Sequence, residues 1–341
     1  MEIDFEHRST HHCENGVTSN LLRFYGYDYS ESLIFGLSAG LYFVHVPLIK
    51  SVGFPVTVFR PMPGVIFTRV MKSLDFKFHT RIFINKKNAV KKLDSLLEQG
   101  IPTGCVINMY NLHFLPLEYR LNFNGHNVCV IGKDGDNYLI SDSFIKEKAT
   151  ISSQILLDAR FAKGIDAPRG KLYWIKSLPE KAPDLNKLVR KAILKNCYYM
   201  LYQSGMTPFV GINAIKYLGN RIPKYPKKYG ERKAALHLLH LFRMTEIMGT
   251  GGAGFRFLYA TFLQEAAEIT GISELNDFSQ RMTAIGDQWR VFASEAGRIN
   301  KNRSSVKFDY QTIGDYLKEI GKQEELFFKD LENLIKKHSQ K

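Results

Sequence analysis

Apolar residues recur at Cys13, Val17, Leu21 and Phe24, the spacing of one helix face, and Gly26 stops the stripe. The same periodicity runs through Asn88–Gln99, closed by Gly100, and Gly64–Leu74 reads as a further helix. β-branched and aromatic runs predict strands at Leu41–Val46, Val56–Phe59 and Phe76–Phe83. Strands then crowd together at Pro102–Ile107, Asn127–Ile131, Tyr138–Ser141 and Leu172–Ile175. The segment Gly132-Lys-Asp-Gly-Asp-Asn137 joins two of these and signals a hairpin, while Ser152–Ala162 predicts a short helix before the last strand. At Ser177-Leu-Pro-Glu-Lys-Ala-Pro183 the character changes. Beyond it come only helical patterns, over Leu185–Gln203, Val210–Tyr217, Ala234–Met248, Phe255–Ile269, Glu274–Ile299 and Ile313–Lys337. The pattern predicts an α+β domain at 1–178 followed by an all-α helical domain at 179–341.

Composition narrows the class. With 45% hydrophobic and 13% aromatic residues in 341, the chain has enough apolar surface to order itself, which excludes a disordered or low-complexity protein. Its four cysteines, Cys13, Cys105, Cys129 and Cys197, form no C-x-x-C pair, so neither a zinc site nor a disulfide scaffold is expected. The N-terminus is charged where a signal peptide needs its apolar stretch. The longest apolar run, Leu33–Ile49, is broken by Gly36, Gly40, His45 and Pro47 and falls short of a membrane span. A cytoplasmic protein without a transmembrane segment is expected.

The formal charge of +14 is unevenly placed. Between Lys181 and Arg243 there are thirteen Lys/Arg against two acids, Asp184 and Glu231, and Arg221–Lys233 is the densest part. Such a field attracts nucleic acid, an anionic membrane surface or an acidic protein; it is equally the composition of a solvated helix face. No helix-turn-helix, zinc-finger or RNA-binding signature accompanies it, so nucleic acid is not expected as a partner.

Candidate chemistry begins at Cys13, in the first turn of the first helix, with Ser9 and Thr10 as candidate N-caps. Free N–H groups and the dipole at a helix start favour a thiolate, although a cysteine on an apolar stripe is by itself the mark of a core residue. His126 opens the strand Asn127–Ile131, and Asp142 ends the facing strand, so both stand at the open end of one hairpin, where a base and its orienting carboxylate can meet. The order Cys…His…Asp is that of a papain-like nucleophile, base and orienter. Papain-like enzymes carry a polar oxyanion donor six residues before the cysteine; here that position is His7, where glutamine is usual. Glu14, beside Cys13, suits the helix dipole but would oppose a thiolate. Adjacent residues on a helix point apart, so His11, His12 and Cys13 are not read as a metal site.

His7, His12-Cys13, Leu21-Leu-Arg-Phe-Tyr-Gly26, Ser30-Glu-Ser-Leu-Ile-Phe-Gly-Leu37, Phe123-Asn-Gly-His126 and Ser141-Asp142 together resemble the N-terminal domain of the butirosin biosynthesis protein H family. Glu246-Ile-Met-Gly-Thr-Gly-Gly-Ala-Gly-Phe-Arg256, followed by Leu258-Tyr259 and Phe262-Leu-Gln-Glu-Ala266, resembles the helical domain that accompanies it. The resemblance implies a papain-like fold and an acyltransferase that moves an acyl group from the phosphopantetheine thioester of an acyl carrier protein to a small-molecule amine or hydroxyl acceptor. It implies Cys13 as nucleophile, His126 as base, Asp142 as orienter and His7 as oxyanion donor, with His12 beside them at the substrate. The protein would need no cofactor of its own. An acidic carrier suits Lys224, Lys227 and Lys228 of the basic segment. The run Gly249-Thr-Gly-Gly-Ala-Gly254 is preceded by a helix, which argues against a dinucleotide fingerprint. It is either a tight corner between helices or, through Gly251, Gly252 and Arg256, a cradle for the pantetheine phosphate. Two other functions fit the same residues: a cysteine peptidase or amidase, and a catalytically inactive carrier-binding scaffold.

Overall fold

The computed structural model describes residues 1–51, 53–164, 166–203, 207–248, 250–300 and 308–339. The chain divides into two compact units. One comprises Met1–Ile34 and Met62–Pro183, the other Phe35–Pro61 and Asp184–Lys341.

In the first unit, helix α1 (Cys13–Phe24) occupies the span that its apolar stripe and Gly26 predict. α2 (Glu31–Leu37) follows it. A six-stranded antiparallel sheet has the order β3 (Lys77–Arg81), β8 (Leu172–Ser177), β4 (Thr103–Ile107), β5 (His126–Asp134), β6 (Asn137–Ser141) and β7 (Ala149–Ser152). α3 (Val65–Ser73), α4 (Lys86–Glu98) and α5 (Ser153–Arg160) complete the unit. α1 packs against β5, the helix of the cysteine against the strand of the histidine. With its antiparallel sheet flanked by helices this is an α+β fold, as the sequence pattern predicts.

Two glycines make the close approaches that the site needs. A Cβ on Gly16, one turn beyond Cys13, would stand 2.6 Å from Ser143, so only glycine lets the residues after β6 lie against α1. A Cβ on Gly104 would strike the Tyr173 ring at 2.1 Å, so glycine lets that ring cross β4.

The second unit is helical: α6 (Leu185–Leu201), α7 (Gly211–Arg221), α8 (Tyr225–Tyr229), α9 (Glu231–Glu246), α10 (Arg256–Thr270), α11 (Leu275–Asn300) and α12 (Tyr310–Ser339). It also contains the hairpin β1 (Val44–Ser51) and β2 (Phe54–Val58), which packs on α7 and α9. The all-helical expectation for residues 179–341 therefore needs amending, because residues 35–61 join the helices and the helical portion starts at Asp184. The physical reason lies in the hairpin's apolar face. Phe43 stacks edge-on against Phe59 and lies beside Trp289, and Asn196 donates its amide to the Leu41 carbonyl at 2.8 Å. Among the described residues no helix is long and apolar enough to cross a membrane.

Candidate active site

Cys13 is the first residue of α1 and is 4% exposed. The N-cap is neither Ser9 nor Thr10. It is His12, whose Nδ1 accepts the Asn15 N–H at 3.3 Å. His12 is thus spent on capping its own helix and is buried, a correction to its expected place at the substrate. Glu31, on α2, accepts the backbone N–H groups of His11 and His12 at 3.0 and 2.7 Å and so fixes the chain's entry into the helix. Burial raises the Glu31 carboxyl, against the opposing pull of those N–H groups and of His11. The first-turn N–H groups of a helix have no intrahelical acceptor, and that of Cys13 is among them.

His126 and Asp142 meet as the hairpin predicts. His126 Nε2 donates to Asp142 Oδ2 at 2.7 Å, both side chains wholly buried. The other carboxylate oxygen accepts the Phe144 N–H at 3.0 Å, so Asp142 is held at both oxygens. Nδ1 is left as the ring nitrogen for Cys13. Burial by itself would push the imidazolium down; the charge of Asp142, then Cys13, outweigh it and raise His126 to about 10. A thiol at a helix start, with an imidazole whose far nitrogen is tied to a carboxylate, is equipped for nucleophilic catalysis at a carbonyl.

Glu14 has a role beyond that of a charge beside the nucleophile. Its Oε1 accepts the N–H groups of Ile66 and Phe67 at 2.9 and 3.3 Å, capping the first turn of α3. His7 is also a correction. Its Nδ1 pairs with Ser141 Oγ at 2.8 Å and its Nε2 with the Ile145 carbonyl at 3.0 Å. The cause is the extended N-terminal segment, which bonds Ile3 N–H to Ile131 O and Thr10 N–H to Ser143 O and carries His7 to the loop around Asp142. His7 thus braces the residues flanking the orienter and is not an oxyanion donor.

The amide near the nucleophile is Asn127, which the sequence reading passed over. Its Nδ2 lies 3.9 Å from Cys13 Sγ and donates to Gly125 O at 3.1 Å. Its Oδ1 accepts the Tyr173 hydroxyl at 2.9 Å, which sets the amide's orientation. The sequence marks it only as a lone amide at the head of the apolar run Val128–Ile131, and its complete burial emerges with the fold.

The expected phosphate cradle is filled by protein. Gly249 lies outside the described residues. Gly251 and Gly252 sit at φ 65° and 87°, as a tight corner requires. The Gly252 N–H donates to Thr250 Oγ1 and the Ala253 N–H to the Glu246 carboxylate at 3.1 Å, so a carboxylate stands where the phosphate was expected. Arg256 is wholly buried, paired with Glu324 through two contacts of 2.9 and 3.0 Å and lying over Trp289 at 4.7 Å. It is a core ion pair, not a binding residue. Lys224, Lys227 and Lys228 are exposed around α8, and none of the three is in an ion pair among the described residues.

Residues 12–143 match the family described as butirosin biosynthesis protein H, N-terminal. Residues 154–331 match the family described as a domain of unknown function (DUF4872). The second match covers just over half of the chain, and the chain belongs to that family, with the first domain preceding it. No curated protein matches the chain. Among solved structures, a C39-like peptidase from Bacillus anthracis aligns at 12% identity with a TM-score of 0.36, covering 52% of this chain and 100% of its own. The butirosin biosynthesis protein H match at residues 12–143, with the His126–Asp142 pair and a cysteine at a helix start, fits a cysteine-based acyl-transfer or peptidase-like activity.

Proposed function

We propose that this member of the DUF4872 family is an acyltransferase that takes an acyl group from a thioester donor onto Cys13 and passes it to an amine or hydroxyl. The reading is carried by the buried His126, tied to Asp142 through Nε2 at 2.7 Å with Nδ1 left for a cysteine at a helix start. The Cys13 thiolate attacks the thioester carbonyl, and the oxyanion is held by the Cys13 N–H and Asn127 Nδ2. The intermediate collapses with loss of the donor thiolate, which takes the proton of the His126 imidazolium and leaves as the thiol. His126, now neutral, removes the proton of the incoming amine or hydroxyl as that acceptor attacks the acyl-cysteine carbonyl, and the Cys13 thiolate is released.

Transfer is favoured over hydrolysis by burial. Cys13 is 4% exposed and the two partner residues wholly covered, which shields an acyl-enzyme from bulk water. Lys224, Lys227 and Lys228, exposed and in no ion pair among the described residues, support an acidic carrier protein as donor, with phosphopantetheine arriving on it. An active enzyme is favoured over an inactive scaffold, because the Glu14 carboxylate beside the thiol is engaged in capping α3, and Asn127 offers the amide that position 7 lacks.

The test is intact mass spectrometry after mixing the protein with acyl-loaded carrier. The expected result is one acyl adduct, absent in Cys13→Ala and discharged by an added amine. An adduct that decays to free acid at the same rate with and without amine would make the protein a hydrolase. No adduct at all would end the reading.

A further inference from the structure

Between β4 and β5, immediately before His126, residues 109–123 form an Ω-loop. Its base is closed by the Met109 N–H on Phe123 O at 3.1 Å and by the Asn108 amide, which donates to Asn122 and Asn124 at 2.9 and 2.7 Å. The Arg120 guanidinium braces it from within, donating to Leu115 O and His113 O at 2.9 and 2.7 Å. Leu112 and Leu115 fill its interior and are buried. The loop's remaining apolar side chains are therefore not a core waiting to be packed. Tyr110, Leu117, Tyr119 and Leu121 are 61%, 77%, 44% and 37% exposed, a concentration of apolar surface that a soluble loop does not ordinarily carry.

That surface is continuous with the catalytic base. The Phe144 ring, two residues from Asp142, lies 5.2 Å from the His126 imidazole, and the Tyr119 ring lies 6.3 Å from that of Phe144. The three rings lead from the buried imidazole to solvent. We infer that this loop is the acyl-binding wall of the site and that Tyr119 and Leu117 take the apolar part of the acyl group being transferred. The inference rests on the acyl-transfer reading above. The occupant is set by charge. Residues 109–123 hold one acid and one arginine, and that arginine is spent on the loop's own carbonyls. An acidic carrier finds nothing to recognise there, whereas an alkyl or aryl chain finds desolvating contact beside the reacting carbonyl.

The experiment compares acetyl, hexanoyl and phenylacetyl pantetheine thioesters as donors, reading the rate of Cys13 acylation by intact mass. Wild type should prefer the longer groups. In Leu117→Ser/Tyr119→Ser the ratio of hexanoyl to acetyl rate constants should fall about tenfold, since each methylene withdrawn from water is worth roughly a factor of four. Leu117→Ser alone should lower it by less, and a thermal melting midpoint close to that of wild type reports that the variants remain folded. An equal fall for all three donors, or an unchanged ratio, overturns the inference while leaving acyl transfer standing. So does loss of a dimer with the ratio unchanged, which would make the loop a self-association face. No acylation of wild type by any thioester defeats the acyl-transfer reading itself, and this inference with it.

Discussion

Replacing Asp142 with asparagine keeps the shape of the site and removes one charge. In the intact protein that carboxylate, with Cys13, holds the His126 imidazolium at about 10, against an ordinary value of 6.5 and against burial, which alone would take it lower. The difference of roughly 3.5 pH units, at about 1.4 kcal/mol each, corresponds to about 5 kcal/mol of preference for the charged ring. Because the folded value lies above the unfolded one, this stabilisation is complete below pH 6.5 and is lost as the pH rises through about 10. In Asp142→Asn burial is opposed by Cys13 alone, and the imidazolium should fall by at least about 2 pH units. The assay is proton–carbon NMR of the histidine Cε1–H resonances, with His126 assigned from His126→Gln. The upper limb of wild-type stability against pH should disappear in the variant. Acylation should slow by a few orders of magnitude, since the amide can favour the wrong imidazole tautomer. A wild-type His126 that titrates near 6.5, or a variant within half a unit of wild type, would refute the reasoning.

Other outcomes follow from the same structure. Neutralising Lys224, Lys227, Lys228 and Lys233 together to glutamine should raise KM for a carrier-bound donor and flatten its salt dependence, with little effect on a small pantetheine thioester; equal responses to both donors would remove the carrier from the argument. Arg256→Ala leaves the Glu324 carboxylate buried without its partner and should cost about 3–5 kcal/mol in urea unfolding, with the double change to apolar residues costing less; a raised carrier KM at unchanged stability would return Arg256 to the binding surface. His45 is held down to about 4 by burial, then by His240 and His237. Its folded value lies below the unfolded one, so stability is present above pH 6.5 and is lost as the pH falls through about 4, by up to ~3 kcal/mol. Thermal melts of His45→Gln should show a shallower acid limb than wild type, and an identical limb would exclude His45 as its source.

The parts of this protein that local patterns specify were readable in its sequence. α1 was, because an apolar stripe and a terminating glycine are local facts. The meeting of His126 and Asp142 was readable because a short turn fixes which residues of a hairpin stand together. Partners distant in sequence were not. Glu14 looked like a charge beside a thiolate, and only the fold brings it to the N–H groups of Ile66 and Phe67, 52 and 53 residues away. His7 was placed by counting back from Cys13, which presumes a particular path for the chain; backbone bonds from Ile3 and Thr10 impose another. Asn127 was hidden by its neighbour: a histidine that opens a strand draws attention, and nothing local says that the next amide also reaches the cysteine. Arg256 sits at a glycine-rich helix start, where arginine reads as anion-binding, but its carboxylate lies on α12.

The division of the chain has a consequence for how the protein can be made, cut and recombined. The first unit closes only when Pro183 has been synthesised, yet residues 35–61, long since made by then, still await the helices that begin at Asp184. During synthesis the apolar residues of the β1–β2 segment therefore remain without the helices that cover them until the rest of their unit has been made. A stop codon after residue 183 would yield Cys13, His126 and Asp142 together with an orphaned hairpin, so such a fragment should be retained by chaperones or aggregate rather than accumulate. By the same logic a single genetic crossover cannot exchange one unit whole for that of a relative: a break after residue 34 divides the first unit, and a break after residue 61 or 183 parts the hairpin from the helices that begin at Asp184.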